Sequence, residues 1–217
     1  MSIPKIIHQV WDGPMLPGIQ ECLDSVKRVM PDYDVRVYNG EEVNEVAPDK
    51  VAFVKKTDLF RNLIVHRDGG WWVDADCFIL KPFDGDRSYS YGLQEQGEGC
   101  LLTEWLFGSE AKNPDQMRCL NWIKDNSLIN PYGGVLNARR GVIRVNSRPQ
   151  SAYKGGIDAI GEKDFLPYAE YGSRYFAKHS RSRRLPTNPT AVHLFMGSWV
   201  KSATGVLSEV KEVERWG

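Results

Sequence analysis

Two carboxylates interrupt an apolar run in this sequence, Trp71-Trp72-Val73-Asp74-Ala75-Asp76-Cys77-Phe78-Ile79-Leu80. With 15 Asp in 217 residues, chance alone supplies about one Asp-x-Asp triplet, so the bare pattern carries little weight. Context separates the three that occur. Asp32-Tyr33-Asp34 follows a proline and Asp84-Gly85-Asp86 follows Pro82-Phe83, so both read as solvated turns. Asp74 and Asp76 lie instead in β-rich apolar chain, where extended geometry would put Trp72, Asp74 and Asp76 on one face. Like charges held that close repel unless something positive lies between them. A hard divalent ion, Mn²⁺ or Mg²⁺, meets that need and takes phosphate oxygens as further ligands. An Asp–Arg pair or an exposed edge strand would meet it as well.

A second charged pair stands upstream. In a helix from Lys50 to Arg67, Asp58 shares a face with Val51, Val54, Asn62 and Val65, and Arg61 lies about 60° away. As an exposed i, i+3 pair, Asp58 and Arg61 would contribute only about 0.2–0.5 kcal/mol, a weak reason to place charge on an apolar face. A ligand clamp is the other reading. The helix stops at Asp68-Gly69-Gly70, directly before the Asp-x-Asp run, so the two features can converge.

The elements that must position these groups alternate. Lys5 to Trp11 is predicted as a strand and ends in the turn Asp12-Gly13-Pro14. Ile19 to Met30 has helical apolar spacing and is stopped by Pro31. Val35 to Tyr38 alternates like a short strand, the Lys50–Arg67 helix follows, and Trp71 to Leu80 is predicted as one strand. Strand, helix, strand, helix, strand implies an α/β domain with a largely parallel sheet. Ligands of such sheets gather at the carboxyl ends of strands, where Asp74 and Asp76 fall. Further on, Tyr89–Leu93, Val142–Val145 and Ala191–Phe195 read as strands. Asp115–Lys124 and Val206–Trp216 read as helices.

The composition, 41% hydrophobic and 26% charged, is that of a folded globular chain and excludes collagen-like, coiled-coil and disordered classes. No apolar run approaches the roughly 20 residues of a membrane span. The first residues lack the pattern of a secretory signal, and Cys22, Cys77, Cys100 and Cys119 have no paired spacing. The expectation is a cytoplasmic protein with free thiols. The net charge of zero divides unevenly: residues 1–108 hold 11 basic against 18 acidic side chains, and residues 109–217 hold 17 against 10. That balance argues against a general nucleic-acid binder. It fits an acidic cation-attracting half beside an anion-preferring one, or two unrelated surfaces. The basic cluster 178–184 is likewise a solvated loop or an anion site.

Three segments together, Ile3-Pro-Lys-Ile-Ile-His-Gln-Val-Trp11, Thr57-Asp-Leu-Phe-Arg61 and Gly69-Gly-Trp-Trp-Val-Asp-Ala-Asp76, resemble the glycosyltransferases with a DxD-containing sugar-binding region. This group includes yeast-type α-mannosyltransferases and the glucosyltransferase domains of large clostridial toxins. The resemblance covers residues 3–82 and is joined near the C-terminus by His193-Leu-Phe-Met-Gly-Ser-Trp199. It implies a GT-A-type α/β fold in a single domain, 1–217, with a mainly parallel central sheet flanked by helices. Residues 1–82 would be the nucleotide-sugar-binding half, and 83–217 the acceptor side with a closing segment. The implied reaction is metal-dependent retaining transfer of a sugar from a UDP- or GDP-linked donor to a glycan or other hydroxyl acceptor, with nucleic acid entering only as a modified acceptor.

By the same resemblance, the donor set is Val10, Trp11, Asp58, Arg61, Asp74, Ser198 and Trp199. Trp11 would stack on the base, and Asp58 and Arg61 would clamp the sugar. Asp74, Asp76 and His193 form the metal set for Mn²⁺ or Mg²⁺. Asp58, Arg61 and Trp199 are the catalytic set, with Trp199 holding the departing phosphate oxygen. Read from the residues alone, Trp11 and Trp199 would also serve as packing aromatics, and His193 as a buried structural histidine. His8 reads as structural, and Trp71 and Trp72 as core. Two other functions fit the carboxylates: a metal-dependent nucleotidyltransferase or pyrophosphohydrolase, and a non-catalytic nucleotide-sugar-binding module. The first usually opens with a glycine- and lysine-rich phosphate loop; here Trp11-Asp12-Gly13-Pro14 stands in its place.

Overall fold

The computed structural model describes residues 2–49, 51, 53–83, 89–96, 99–122 and 191–194. The chain opens with β1 (Ile6–Val10), whose alternate side chains Ile7 and Gln9 turn to one face and His8 to the other. Helix α1 (Pro17–Val29) follows, with proline in its first turn, Lys27 and Arg28 at its carbonyl end, and Ile19, Cys22, Leu23 and Val26 buried. Strand β2 (Asp34–Tyr38) and the short α2 (Gly40–Asn44) come next. Asn39 caps α2 reciprocally with Glu42.

Helix α3 (Phe53–Asp68) ends where the sequence places its stop. Gly69 has φ 69° and Gly70 φ 96°, and a Cβ on Gly70 would stand 2.6 Å from the Ile6 carbonyl oxygen. Only glycine fits the turn that carries α3 into β3 (Gly70–Val73). His8 locks it from below. Its Nε2 lies 2.8 Å from the Gly69 carbonyl, which can only accept, so Nδ1 is the acceptor for the Tyr38 hydroxyl at 2.9 Å. Burial depresses the His8 pKa and favours this neutral ring.

The predicted strand over Trp71–Leu80 divides into β3 and β4 (Cys77–Ile79). The Asp74 carbonyl accepts the Cys77 N–H at 3.0 Å, closing a turn at Asp74-Ala75-Asp76. The expected arrangement of Trp72, Asp74 and Asp76 on one extended face is therefore corrected. The turn satisfies its own backbone and lets the carboxylates leave the apolar strand altogether.

β5 (Tyr89–Gln96) and β6 (Gly99–Ser109) form a hairpin, α4 (Pro114–Trp122) packs on α3, and β7 (Ala191–His193) pairs with β4. The main sheet has the order β2-β1-β3-β6-β5. β1 is parallel to β2 and β3, while β6 is antiparallel to β3 and to β5, so four of the five strands share one direction. The core under α1 joins Ile7, Val26, Met30, Trp71, Val73, Cys77, Ile79 and Leu106. Ser25 accepts the Ile79 N–H at 2.8 Å and pins α1 to β4. Trp71 is wholly buried, and its truncation to alanine would cost about 3–5 kcal/mol. Among the described residues no helix is long and apolar enough to cross a membrane. The strand expected at Val142–Val145, the helix at Val206–Trp216 and the basic segment 178–184 lie outside the described residues.

Candidate active site

The site is built around the turn between β3 and β4. From α3, Arg61 Nη2 donates to Asp58 Oδ1 at 2.8 Å, and its Nη1 lies 3.6 Å from Asp74 Oδ1. The guanidinium sits over the Trp72 ring, 5.3 Å from its centre, and the Trp72 indole N–H donates to Asp74 Oδ1 at 2.7 Å. Trp72, expected as core, is thus both buried platform and donor. From β7, His193 Nε2 lies 3.0 Å from Asp76 Oδ1 and 3.7 Å from Asp74 Oδ2. The His193 ring leans on Trp105 of β6 with centroids 5.2 Å apart. The Asp76 carbonyl accepts the Leu194 N–H at 3.0 Å, extending the β4–β7 ladder to the turn.

Asp74 therefore faces both ways, one oxygen toward Arg61 and Trp72 and the other toward His193. Its side chain retains 26% exposure, against 11% for Asp76 and 7% for His193, so it forms the open rim. Burial pushes the Asp74 carboxyl above its ordinary range and the Asp76 charge adds to this, against the pull of Arg61, His193 and the Trp72 N–H. The imidazole nitrogen thus has one carboxylate oxygen at 3.0 Å and another at 3.7 Å, close to the roughly 3 Å between neighbouring donors on one divalent ion when bonds are about 2.1 Å long. Carboxylate oxygens and an imidazole nitrogen are donor types that hold divalent ions.

Trp11 follows β1 on the other side of the turn. It is half-buried, packs against Ile19, Leu23 and Ala75, and donates from its indole to the Pro14 carbonyl at 3.3 Å. Ala75 is the middle residue of the carboxylate turn, so the Trp11 ring borders the site. Val10 closes β1 half-buried beside it. The structure thus brings together Val10, Trp11, Asp58, Arg61, Asp74, Asp76 and His193. Ser198 and Trp199 lie outside the described residues.

Sequence reading missed Cys77 as a site residue. In a straight strand its side chain would oppose that of Asp76. After the turn, the donor atoms of Asp76, Cys77 and His193 all lie within 4.8 Å of one another, and all three residues are buried. Burial first, then the Asp76 and Asp74 charges, hold the Cys77 thiol well above its usual pKa. Register pairs Cys77 with His193 across the ladder. Trp105 was missed as well. Its carbonyl accepts the Asp74 N–H at 2.9 Å, and no local signal points to that contact.

A mixed, mostly parallel sheet flanked by helices is the GT-A type of fold, and solved glycosyltransferases share it. The galactosyltransferase LgtC, solved with donor and acceptor sugar analogues, superposes with a TM-score of 0.52 at 12% identity, covering 96% of this chain and 94% of that one. GlyE of Streptococcus pneumoniae gives 0.58 at 11% identity over 97% of this chain and 60% of that one. The PaToxG glycosyltransferase gives 0.54 at 13% identity over 66% and 70%. In sequence, inositol phosphoceramide mannosyltransferase 3 of Schizosaccharomyces pombe is 29% identical over 99 residues, covering 38% of this chain and 27% of that protein. The matched region is thus about a quarter of that relative's length. No protein-family profile matches the chain. The fold is that of glycosyltransferases, as the motif resemblance implied.

Proposed function

We propose that this chain is a retaining glycosyltransferase, moving a sugar from a UDP- or GDP-linked donor to a glycan or other hydroxyl acceptor with the help of Mn²⁺ or Mg²⁺. The observation that carries the reading is the convergence of Asp58, Arg61, Asp74, Asp76 and His193 on one turn beside Trp11. In this reading residues 1–82 hold the donor, and 83–217 supply the acceptor side of a single domain. Asp74, Asp76 and His193 would hold the ion, which when bound neutralises charge gathering on the diphosphate. Trp11 offers its ring to the base, with Val10 at its side.

Asp58 can accept hydrogen bonds from sugar hydroxyls, while Arg61, already oriented by Asp58 and Trp72, directs its remaining donors at hydroxyl or phosphate oxygens. These donors are worth most where negative charge develops during the reaction. The motif resemblance adds Ser198 and Trp199 on the diphosphate. Such a constellation has no need of a protein nucleophile if the departing phosphate takes the acceptor's proton.

The test is Asp76→Asn, which keeps the shape of the turn but removes a charge. Mn²⁺-dependent nucleotide-sugar hydrolysis, followed by mass spectrometry over a donor panel, should be abolished with the fold intact. Equal turnover in the variant, or full activity in excess chelator, removes the metal from the reading.

A further inference from the structure

We infer that Asp76, Cys77 and His193 form a second-mode metal site, selective for thiophilic divalent ions such as Zn²⁺ and overlapping the oxygen-rich site proposed above. The geometry is specific to this turn. Neighbouring residues on a strand point to opposite faces. Because the chain turns at Asp74–Asp76 before entering β4, Asp76 and Cys77 both reach His193, with all three donor atoms inside 4.8 Å. The ladder sets Cys77 directly opposite His193, and Trp105 supports the imidazole.

The Cys77 thiol donates at long range, 3.9 Å, to the Trp105 carbonyl, a weak bond to exchange for a metal–sulfur bond. Carboxylate, thiolate and imidazole are a zinc ligand set, and the exposed rim at Asp74 provides both an access route and a fourth position. Binding breaks the S–H bond, forms a metal–sulfur bond and releases the proton to solvent, without redox change.

For sites of this donor type Zn²⁺ outranks Mn²⁺, and sulfur widens the gap. The functional consequence rests on the proposed glycosyltransferase reading: Zn²⁺ would take Asp76 and His193 from the productive ion and inhibit transfer. The ligand set itself rests on the geometry alone.

The experiment uses the full chain, stripped of metal and titrated with Co²⁺ as a spectroscopic probe. A thiolate-to-cobalt charge-transfer band should appear and saturate at a single equivalent. It should vanish in Cys77→Ala and His193→Ala and persist in Cys22→Ala, Cys100→Ala and Cys119→Ala. Cys77→Ala should weaken Zn²⁺ binding by about fiftyfold or more and Mn²⁺ binding by less than about fivefold. If the buried alanine variant misfolds, X-ray absorption of the Zn²⁺-loaded wild-type chain still decides, through a sulfur neighbour at about 2.3 Å.

A nitrogen- and oxygen-only shell, or a charge-transfer band that survives Cys77→Ala, overturns the inference. Electron paramagnetic resonance of Mn²⁺ on the same preparation separates the two readings. Mn²⁺ binding without a thiolate band sinks this one alone, and a thiolate band without Mn²⁺ binding sinks the productive-metal reading alone.

Discussion

Replacing Asp58 by asparagine distinguishes a sugar clamp from a structural ion pair. The Arg61 guanidinium has only donors, so the new amide must turn its oxygen to Nη2, where Asp58 Oδ1 now accepts at 2.8 Å. In the fold, an ion-paired bond becomes one from the charged guanidinium to a neutral amide oxygen, still charge-assisted, a loss of about 1 kcal/mol. Arg61 keeps Asp74 at 3.6 Å and its seat over Trp72, so no buried charge is orphaned. A chain of this size should then melt about 2–4 °C lower. At the second carboxylate oxygen the change is larger, because an NH₂ group replaces the acceptor. A donor hydroxyl bound there loses a charge-assisted partner, about 1.5–3 kcal/mol, or roughly ten- to 150-fold in kcat/KM. Melting by circular dichroism and donor turnover on the same sample measure both effects. A fall in Tm of more than about 6 °C, with turnover of the folded fraction within about twofold of wild type, would show that Asp58 serves the helix and not the sugar.

Trp11→Ala should weaken the donor and the free nucleotide diphosphate alike, by roughly tenfold or more in calorimetric titration; unchanged affinity returns the ring to packing on Ala75. Trp199→Phe keeps ring area and deletes the N–H, so turnover should fall more than donor affinity. Wild-type rates in that variant would end the role assigned to the indole. His8 predicts a pH signature of stability. Its folded pKa lies below the ordinary 6.5 because burial opposes charge, so its contribution is complete above that value and is lost as pH falls through 6.5 toward the folded pKa, the unfolded chain taking up the proton first. The wild-type Tm should drop over that window more than that of His8→Gln, and parallel profiles would refute the neutral buried ring.

Local pattern carried the first 70 residues. Pro31 and Gly69-Gly70 stop their helices, and β1 and β2 announce themselves by β-rich apolar residues or alternation, while α1 starts at Pro17, two residues before the expected Ile19. The Asn39–Glu42 capping box was also written in the chain, yet the Asn-Gly pair reads first as a turn, and α2 went unforeseen. β6 was invisible for another reason. An interior strand paired on both edges needs no alternation, and its buried Trp105-Leu106-Phe107 run has the same apolar look as a buried helix turn. The site shows the same division. Asp58 and Arg61 were legible because i, i+3 spacing is a local rule. Asp76 and His193 are separated by 117 positions, so no local rule joins them; the motif resemblance grouped them, and the pairing of β4 with β7 brings them to 3.0 Å.

The turn at Asp74–Asp76 is where the extended-strand expectation failed, and the failure explains the chemistry. A continuous strand would have stacked both carboxylates on one face of one sheet. The break instead passes the chain from the five-stranded sheet to the β4–β7 pair, with the carboxylates at the seam. Asp74, anchored through its N–H to β6, looks toward α3 and Arg61. Asp76, anchored through its carbonyl to Leu194, looks toward β7 and His193. Each half of the site is thereby fixed by a different sheet, and the only covalent link between them on the β3–β4 side is Ala75, which packs under Trp11. A ligand that bridges Asp74 and Asp76 stitches the two sheets together, so its binding free energy adds to the stability of the seam itself.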